Sequence, residues 1–325
     1  MRVTDAPVAA AYRALPDVAR YQDWDLPYTL ERAHDSVRKQ DDLHDVTAGR
    51  WVSIAIEREG DVIGDLALGL DADGNVGTLG YTLAPEHQGR GHASEAAAAL
   101  VDALFEQTTV HRVMATIDPE NHASMRLLEQ LGFQFEGVLR RGALVRGEWL
   151  DDAVFGLLRD DRLAWRTRER SRPGNIELVE LNAANDLAYR RLRTHHFQER
   201  FVAPVIRSLA DAMLPDVVDG APLTPWFRGV NADGIPAAFV MITQASAHHP
   251  HPYLWRLLVD RRQQRRGIGT MVLSSLIAQL RDEGHARLLV SYVDAPGGPK
   301  PLYERFGFVP TGEIDDGEVV AALQL

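Results

Sequence analysis

The 325-residue chain contains no cysteine, so disulfide bridges, thiolate nucleophiles and cysteine-based zinc sites are excluded by composition. Lysine is almost missing as well: Lys39 and Lys300 are the only two among 35 basic residues. No G-x-x-x-x-G-K-[ST] loop occurs, and a nucleotide hydrolase of that type is ruled out with it. Long apolar runs are absent too. WVSIAIE at 51–57 and EAAAALVDALF at 95–105 fall well short of the about 20 residues that cross a bilayer. MRVTDAPVAA carries neither a basic leader nor an apolar core, so a cytoplasmic location with no membrane partner is expected. Basic residues are outnumbered, giving a net charge of -11; residues 1–170 hold 19 Arg and Lys against 29 Asp and Glu, and residues 171–325 hold 16 against 17. This deficit argues against a nucleic-acid partner, whose phosphates require a basic footprint, and gives the first half a field that draws cations.

What is present is a repeat. LGYTLAPEHQGRGHASEAAAALVDAL from Leu79 is echoed by LWRLLVDRRQQRRGIGTMVLSSLIAQL from Leu254, and MRLLEQLGFQFEG from Met125 by KPLYERFGFVPTG from Lys300. Gln88 and Gln264 are 176 residues apart, Gly132 and Gly307 175. Two landmarks in one order at a nearly constant offset describe one domain written twice. The charged, breaker-containing RTRERSRPGN at 166–175 separates the copies, which places domains at 1–168 and 175–325 with a linker at 169–174.

In the first copy WVSIAIER, VIGDLALGL and GTLGYTLA read as strands, followed by a helix from His92 to about Gln107, the strand HRVMATI, a helix from Ser124 to Leu131 stopped at Gly132, and the strands FQFEGVL and LDDAVFGLL. The second copy repeats the order with PWFRGVN, IPAAFVMIT, YLWRLLVD, a helix over Ile268 to Asp282, ARLLVSYV, a helix around Pro301 to Phe306, FVPTGEI and GEVVAALQL. The expected fold class is α/β with mixed character, each copy a mixed central sheet flanked by helices.

Two loops join an apolar strand to a long helix: Gln88-Gly89-Arg90-Gly91-His92-Ala93 and Gln264-Arg265-Arg266-Gly267-Ile268-Gly269. A glycine-bearing turn at a helix start leaves several backbone N–H groups without partners, and these cradle a pyrophosphate with help from the helix dipole. The third glycine of G-x-G-x-x-G is lacking at both, which disfavours a dinucleotide fold.

On these loops both halves resemble the GNAT superfamily of acyl-CoA-dependent N-acetyltransferases, whose signature is Q/R-x-x-G-x-G/A. The resemblance implies acetyl-CoA as cosubstrate and no metal. It implies a pyrophosphate held by Gln88, Gly89, Arg90, Gly91, His92 and Ala93 in one copy and by Gln264, Arg265, Arg266, Gly267, Ile268, Gly269 and Thr270 in the other. The pantetheine arm would pair with the preceding strands, along 79–83 to Leu83 and along 256–260 through Leu258 and Val259. The first half, through HRVMATIDPENHASMRLLEQLGFQFEGVLR and GEWLDDAVFGLL, resembles acetyltransferases of ribosomal-protein terminal alanine. That likeness gives Asn121 a contact with the cofactor arm and places Ser124 near the departing thiol, as a catalytic candidate; Asn121 is equally suited to cap the helix that follows. Such proteins usually open with a strand of the type RLxLRPL, whereas Met1-Arg2-Val3-Thr4 stands directly before the first helix here. That edge strand is expected to be absent or to lie upstream of the start.

The second half, through FVAP at 201–204, YLWRLLVD, LYERFGF and TGEIDDGEVVAAL, resembles spermine and spermidine acetyltransferases. There the likeness makes Tyr303 the general acid that reprotonates the leaving thiolate, with core packing as its competing role. Leu128 occupies the matching place in the first copy, and Pro296 and Pro299 stand where the first copy has Asn121 and Ser124. No general base stands out: Glu199, His195 and His196 could line an acceptor side, and His248-His249-Pro250-His251-Pro252 reads as a loop without metal-ligand spacing.

These features lead to an N-acetyltransferase moving acetyl from acetyl-CoA to the primary amine of a small molecule, polyamine-like or amino-sugar. Alternatives are a peptide or ribosomal-protein N-terminal acetyltransferase, a tandem enzyme of mycothiol-synthase type, and an acyl-CoA-binding sensor with degenerate sites. Monomer and homodimer both stay open.

Overall fold

A computed structural model of the chain describes residues 1–39, 46–218 and 220–325. The chain divides into two compact units, Met1–Thr167 and Arg168–Leu325. The first opens with three helices, α1 (Ala6–Arg13), α2 (Pro16–Ala19) and α3 (Leu30–Arg38). Ala6, Ala9, Ala10 and Tyr12 of α1 are buried with Trp24 and Tyr28 in a small core of their own. The sheet follows: β1 (Trp51–Arg58), β2 (Asp61–Leu70) and β3 (Val76–Leu83) form an antiparallel meander, and α4 (His92–Gln107) leads to β4 (Arg112–Ile117), which lies parallel to β3. After α5 (His122–Leu131) come the hairpin β5 (Gln134–Val145) and β6 (Glu148–Leu158), then α6 (Arg159–Thr167). Sheet order is β1-β2-β3-β4-β6-β5.

The second unit begins with β7 (Ile176–Val179), α7 (Asp186–Arg190), α8 (Val205–Met213) and a short pair, β8 (Val217–Val218) with β9 (Ala221–Pro222). Then come β10 (Pro225–Ala232), β11 (Ile235–Thr243), β12 (Tyr253–Val259), α9 (Ile268–Asp282), β13 (Arg287–Tyr292), α10 (Lys300–Phe306), β14 (Val309–Asp315) and β15 (Glu318–Gln324). Order β14-β15-β13-β12-β11-β10-β7 mirrors the first sheet strand for strand, with β7 added outside β10. Among the described residues, β1, the counterpart of β10, is the outer strand of its edge.

Local chemistry accounts for the elements. In α4, Ala97, Val101, Leu104 and Phe105 are buried at helical spacing, and Thr108 ends the helix by donating its hydroxyl to Leu104 O at 2.6 Å. In α9, Val272, Leu273, Leu276, Ile277 and Leu280 bury the matching stripe. Helices α5 and α10 stop at Gly132 and Gly307, whose φ values of +101° and +87° suit glycine. The helix expected from Ser124 starts two residues earlier, at His122, and FQFEGVL grows into a strand that runs to Val145, with Arg141 at φ 52° where the pairing slips. The end of the first unit holds a helix that the strand pattern passed over: in α6, Trp165 donates to Gln130 O at 2.8 Å and Arg162 to Leu131 O at 2.7 Å.

Candidate active sites

In each unit a strand end is tied to a helix start by one turn of chain. Gly89 and Gly91 have φ of +70° and +86°, and a Cβ on either would meet nothing within 4 Å, so the loop is open on its outer side. The first helical bond of α4 runs from Glu95 N–H to Gly91 O at 3.0 Å. The N–H groups of His92, Ala93 and Ser94 therefore have no acceptor inside the helix and emerge at its positive end. The second loop repeats this: Gly267 has φ +79°, and Met271 N–H bonds Gly267 O at 3.0 Å. Arg265 also takes a positive φ, of 66°. Both cradles have the chemistry that a pyrophosphate needs.

The signature glutamines brace their loops against the preceding strands. Gln88 Nε2 donates to Leu83 O at 3.0 Å, and Gln264 Nε2 donates to Val259 O at 3.1 Å, the same five-residue tie between loop and strand end. Gln264 also exchanges amide bonds with Gln198 at 2.7 and 3.2 Å. Arg266 is buried; its guanidinium donates to Ser171 O at 2.8 Å and to Gln263, and lies 3.6 Å from Asp233, so this residue offers the loop its main chain alone. Ile268 and Leu258 are buried, Val259 and Thr270 half-buried, and Arg90 and Arg265 exposed.

Beyond each loop the sheet splays. β3 pairs with β4 only through Val76, Gly77 and Thr78, and β12 with β13 only through Tyr253 and Leu254. Residues 79–83 and 255–259 thus turn one backbone edge to a gap, where a peptide-like arm can pair. In the first unit a cleft of about 580 Å³ runs from the gap over the loop, lined by Leu83, Gln88, Gly89, Gly91, His92, Ala93, Asn121 and Ser124. Asn121 lines the cleft, and its Oδ1 accepts Ser124 N–H at 3.1 Å as the cap of α5.

Tyr81, which sequence reasoning passed over, stands at the centre of this arrangement. Its hydroxyl donates to Ser124 O at 3.3 Å, and burial pushes its pKa above that of an ordinary tyrosine, so it stays protonated. The available signal was an aromatic residue two places before the strand end that enters the glycine loop.

In the second unit α10 has seven residues where α5 has ten, and it starts only after Pro299. Tyr303 is buried edge-on against Phe308 at 5.5 Å and tilted on Tyr292 at 5.7 Å. Burial first, then the Glu318 carboxylate and Tyr253, hold its hydroxyl protonated well above the ordinary range. Leu128, its counterpart, is buried apolar core. His195 stacks on Phe197 with centroids 5.7 Å apart, and His196 Nδ1 lies 2.9 Å from Glu199. The histidines at 248, 249 and 251 sit in the loop between β11 and β12. Among the described residues no group of three or more His, Asp or Glu is placed to hold a metal ion.

A second cavity of the first unit, about 630 Å³, adjoins the cleft; Tyr21, Gln22, Tyr81 and Thr82 line both. Asp23, Asp65, Asp118, Asp151 and Asp152, against Arg13 and Arg20, give it an acidic lining. It continues into a third, of about 810 Å³, with which it shares Arg13, Asp23, Trp24 and Trp51.

A splayed sheet and an N–H cradle at a helix start, present in both units, define an acyl-CoA-dependent acyltransferase built twice into one chain, with an acidic trench beside the cleft of the first. The comparisons agree: residues 1–134 match the acetyltransferase (GNAT) domain model and residues 189–308 the acetyltransferase (GNAT) family model. The uncharacterized N-acetyltransferase p20 of Bacillus licheniformis is 33% identical over 161 residues, 49% of this chain and 90% of that protein. The [ribosomal protein uS5]-alanine N-acetyltransferase of Escherichia coli is 35% identical over 83 residues, 26% of this chain and 43% of that relative. The solved spermidine N-acetyltransferase of Vibrio cholerae, in complex with CoA and spermine, is 18% identical with a TM-score of 0.44, over 50% of this chain and 95% of its own. The chain belongs to the GNAT family of acetyl-CoA-dependent N-acetyltransferases, with two such domains in tandem. Among the described residues, no helix is long and apolar enough to cross a membrane.

Proposed function

We propose that the first unit acetylates the α-amine of a peptide or protein N-terminus, in preference to the small polyamine-like or amino-sugar acceptor that the sequence put first. The carrying observation is the trench. Two adjoining cavities, of about 630 and 810 Å³, extend away from the acyl cleft, which is more room than a small amine fills and suits an extended peptide. Trp24, Trp51 and Tyr21 supply apolar walls for side chains, and the excess of aspartates attracts the ammonium end. The partial likeness to the uS5-alanine acetyltransferase supports the same acceptor.

In this reading the loop from Gln88 to Ala93 holds the pyrophosphate, the free edge of 79–83 aligns the pantetheine arm, and Asn121 and Ser124 border the thioester. Tyr81 gives the departing sulfur a proton from the wall between cleft and trench, taking in the first unit the part that Tyr303 takes in the second. The loop from Gln264 to Thr270 holds a second acyl-CoA.

The test is acetyl transfer by the full chain carrying Gly267→Trp, which leaves only the first unit's loop open, to a short peptide beginning with alanine, to spermine and to glucosamine, with mass spectrometry of each product. The peptide should be acetylated once, at its α-amine, with the highest kcat/KM of the three. A preference for spermine, which the acidic lining would also attract, would overturn the peptide assignment and restore the small-amine reading.

A further inference from the structure

The two units carry a correspondence that the residue offset hides. Strand β4 pairs with β6 from Arg112 opposite Leu158 to Ile117 opposite Ala153, and β13 pairs with β15 from Arg287 opposite Gln324 to Tyr292 opposite Val319. The residue just before Ala153 is Asp152, and the residue just before Val319 is Glu318. Each is a carboxylate one step beyond the last rung of the ladder, beside the gap of its sheet. Thr116 and Ser291 are matched in the same way, opposite Val154 and Val320. They share a face with the carboxylates, because side chains two apart on a strand lie on one side. In the second unit Ser291 donates its hydroxyl to Glu318; in the first, Thr116 and Asp152 line the same trench.

We propose that Asp152 and Glu318 are one catalytic group present in both units: the carboxylate that takes a proton from the acceptor ammonium before the amine attacks the thioester. This goes beyond the choice of acceptor and does not depend on it.

Geometry favours the role. Asp152 faces a cavity that meets the acyl cleft at Tyr81 and Thr82, so an amine bound to it lies at the wall where the acetyl group is presented. Burial first, then Asp118 beside it, raises its carboxyl above the ordinary carboxylate value, the direction that favours a base. Besides Asp118 and Asp151, the charged groups facing that space are Asp23, Arg20 and the ion pair of Arg13 with Asp65. Around Glu318 they are Arg256, Asp315, Tyr253 and Tyr303.

The chemistry balances. The ammonium passes one proton to the carboxylate, and the freed nitrogen lone pair forms the C–N bond to the acetyl carbonyl carbon. Collapse of the tetrahedral adduct breaks the C–S bond. The second nitrogen proton replaces the one that a tyrosine hydroxyl has given to sulfur, and the carboxyl returns its own to solvent.

The experiment uses the intact chain, Asp152→Asn, Glu318→Gln and the double variant, with ethylamine, which is protonated at the assay pH, and hydroxylamine, which is already neutral. Both are small enough to enter without specific recognition, so the result is separate from the peptide test. The double variant should lose ethylamine turnover on the order of 10²-fold and keep hydroxylamine turnover within about threefold, because a neutral nucleophile needs no base. Calorimetric affinity for acetyl-CoA should not change. Equal loss with both amines, no loss with either, or a wild-type chain that acetylates neither would overturn the proposal.

Discussion

Replacing Asp65 with asparagine should unfold the first unit several degrees early while leaving its acyl cleft competent. Asp65, on β2, is 1% exposed; its carboxylate accepts from Tyr12 Oη and from Arg13 Nη2 at 2.6 Å. The Arg13 side chain is itself 12% exposed, wedged between the rings of Trp24 at 4.9 Å and Tyr28 at 5.5 Å. Asparagine keeps the shape and an acceptor oxygen but removes the charge, and stranding one member of a buried pair costs about 3 to 5 kcal/mol. The two aromatic faces hold the guanidinium in parent and variant alike, so they leave that loss of about 3 to 5 kcal/mol unchanged. For a unit of this size that corresponds to a fall in Tm of roughly 6 to 20 °C. Thermal unfolding followed by circular dichroism measures it, together with the double variant Arg13→Met, Asp65→Asn. The double variant should recover more than half the loss, because no buried charge is left unpaired. Acetyl-CoA affinity should stay near that of the parent, since neither residue lines the acyl cleft. A single-variant loss below about 1 kcal/mol, or a double variant worse than the single, would refute this reasoning.

At the equivalent helix ends, Gly132→Ala should cost roughly 2 to 5 kcal/mol, because φ is +101° and the new Cβ would lie 2.7 Å from Trp165 Cγ; Gly307→Ala should cost only about 1 to 2, its nearest neighbour being Leu323 Cδ1 at 3.6 Å, and urea unfolding compares the two. Tyr303→Phe, assayed with the first loop blocked by Gly91→Trp, should lower kcat on the order of 10²-fold with little change in acetyl-CoA affinity; Tyr81→Phe, with Gly267→Trp, should do the same for the first unit. The Asp152 carboxyl is raised in the folded state, so its contribution to stability is present below the ordinary carboxylate range and is lost as pH rises through the raised value. Asp152→Asn should accordingly leave Tm unchanged in acid and raise it slightly at neutral pH, as a scan of Tm against pH would show.

The parts that sequence reading reached are those written locally. The two glycine loops, the strands before them and the helices after them announce themselves through alternation, helical spacing and breakers. The roles of the loop residues were less visible. Gln88 and Gln264 also bond the carbonyls of Leu83 and Val259, a bracing role that shows only once a folded turn brings them near. Asp65 and Arg13 are 52 residues apart, with nothing in the intervening chain to link them. The match between Asp152 and Glu318 was hidden for another reason. Arg112 and Arg287 are offset by 175 residues, but Ala153 and Val319 by only 166, because the first unit's longer β5–β6 hairpin shifts the frame. Strand register restores it.

The most direct measurement is calorimetric titration of the intact chain with acetyl-CoA. Two cradles of one design call for a stoichiometry near two, falling to one with either Gly91→Trp or Gly267→Trp and to zero with both, since each indole would fill the space above its own loop. A stoichiometry of one in the parent that neither substitution removes would contradict two acyl-CoA sites built on these loops.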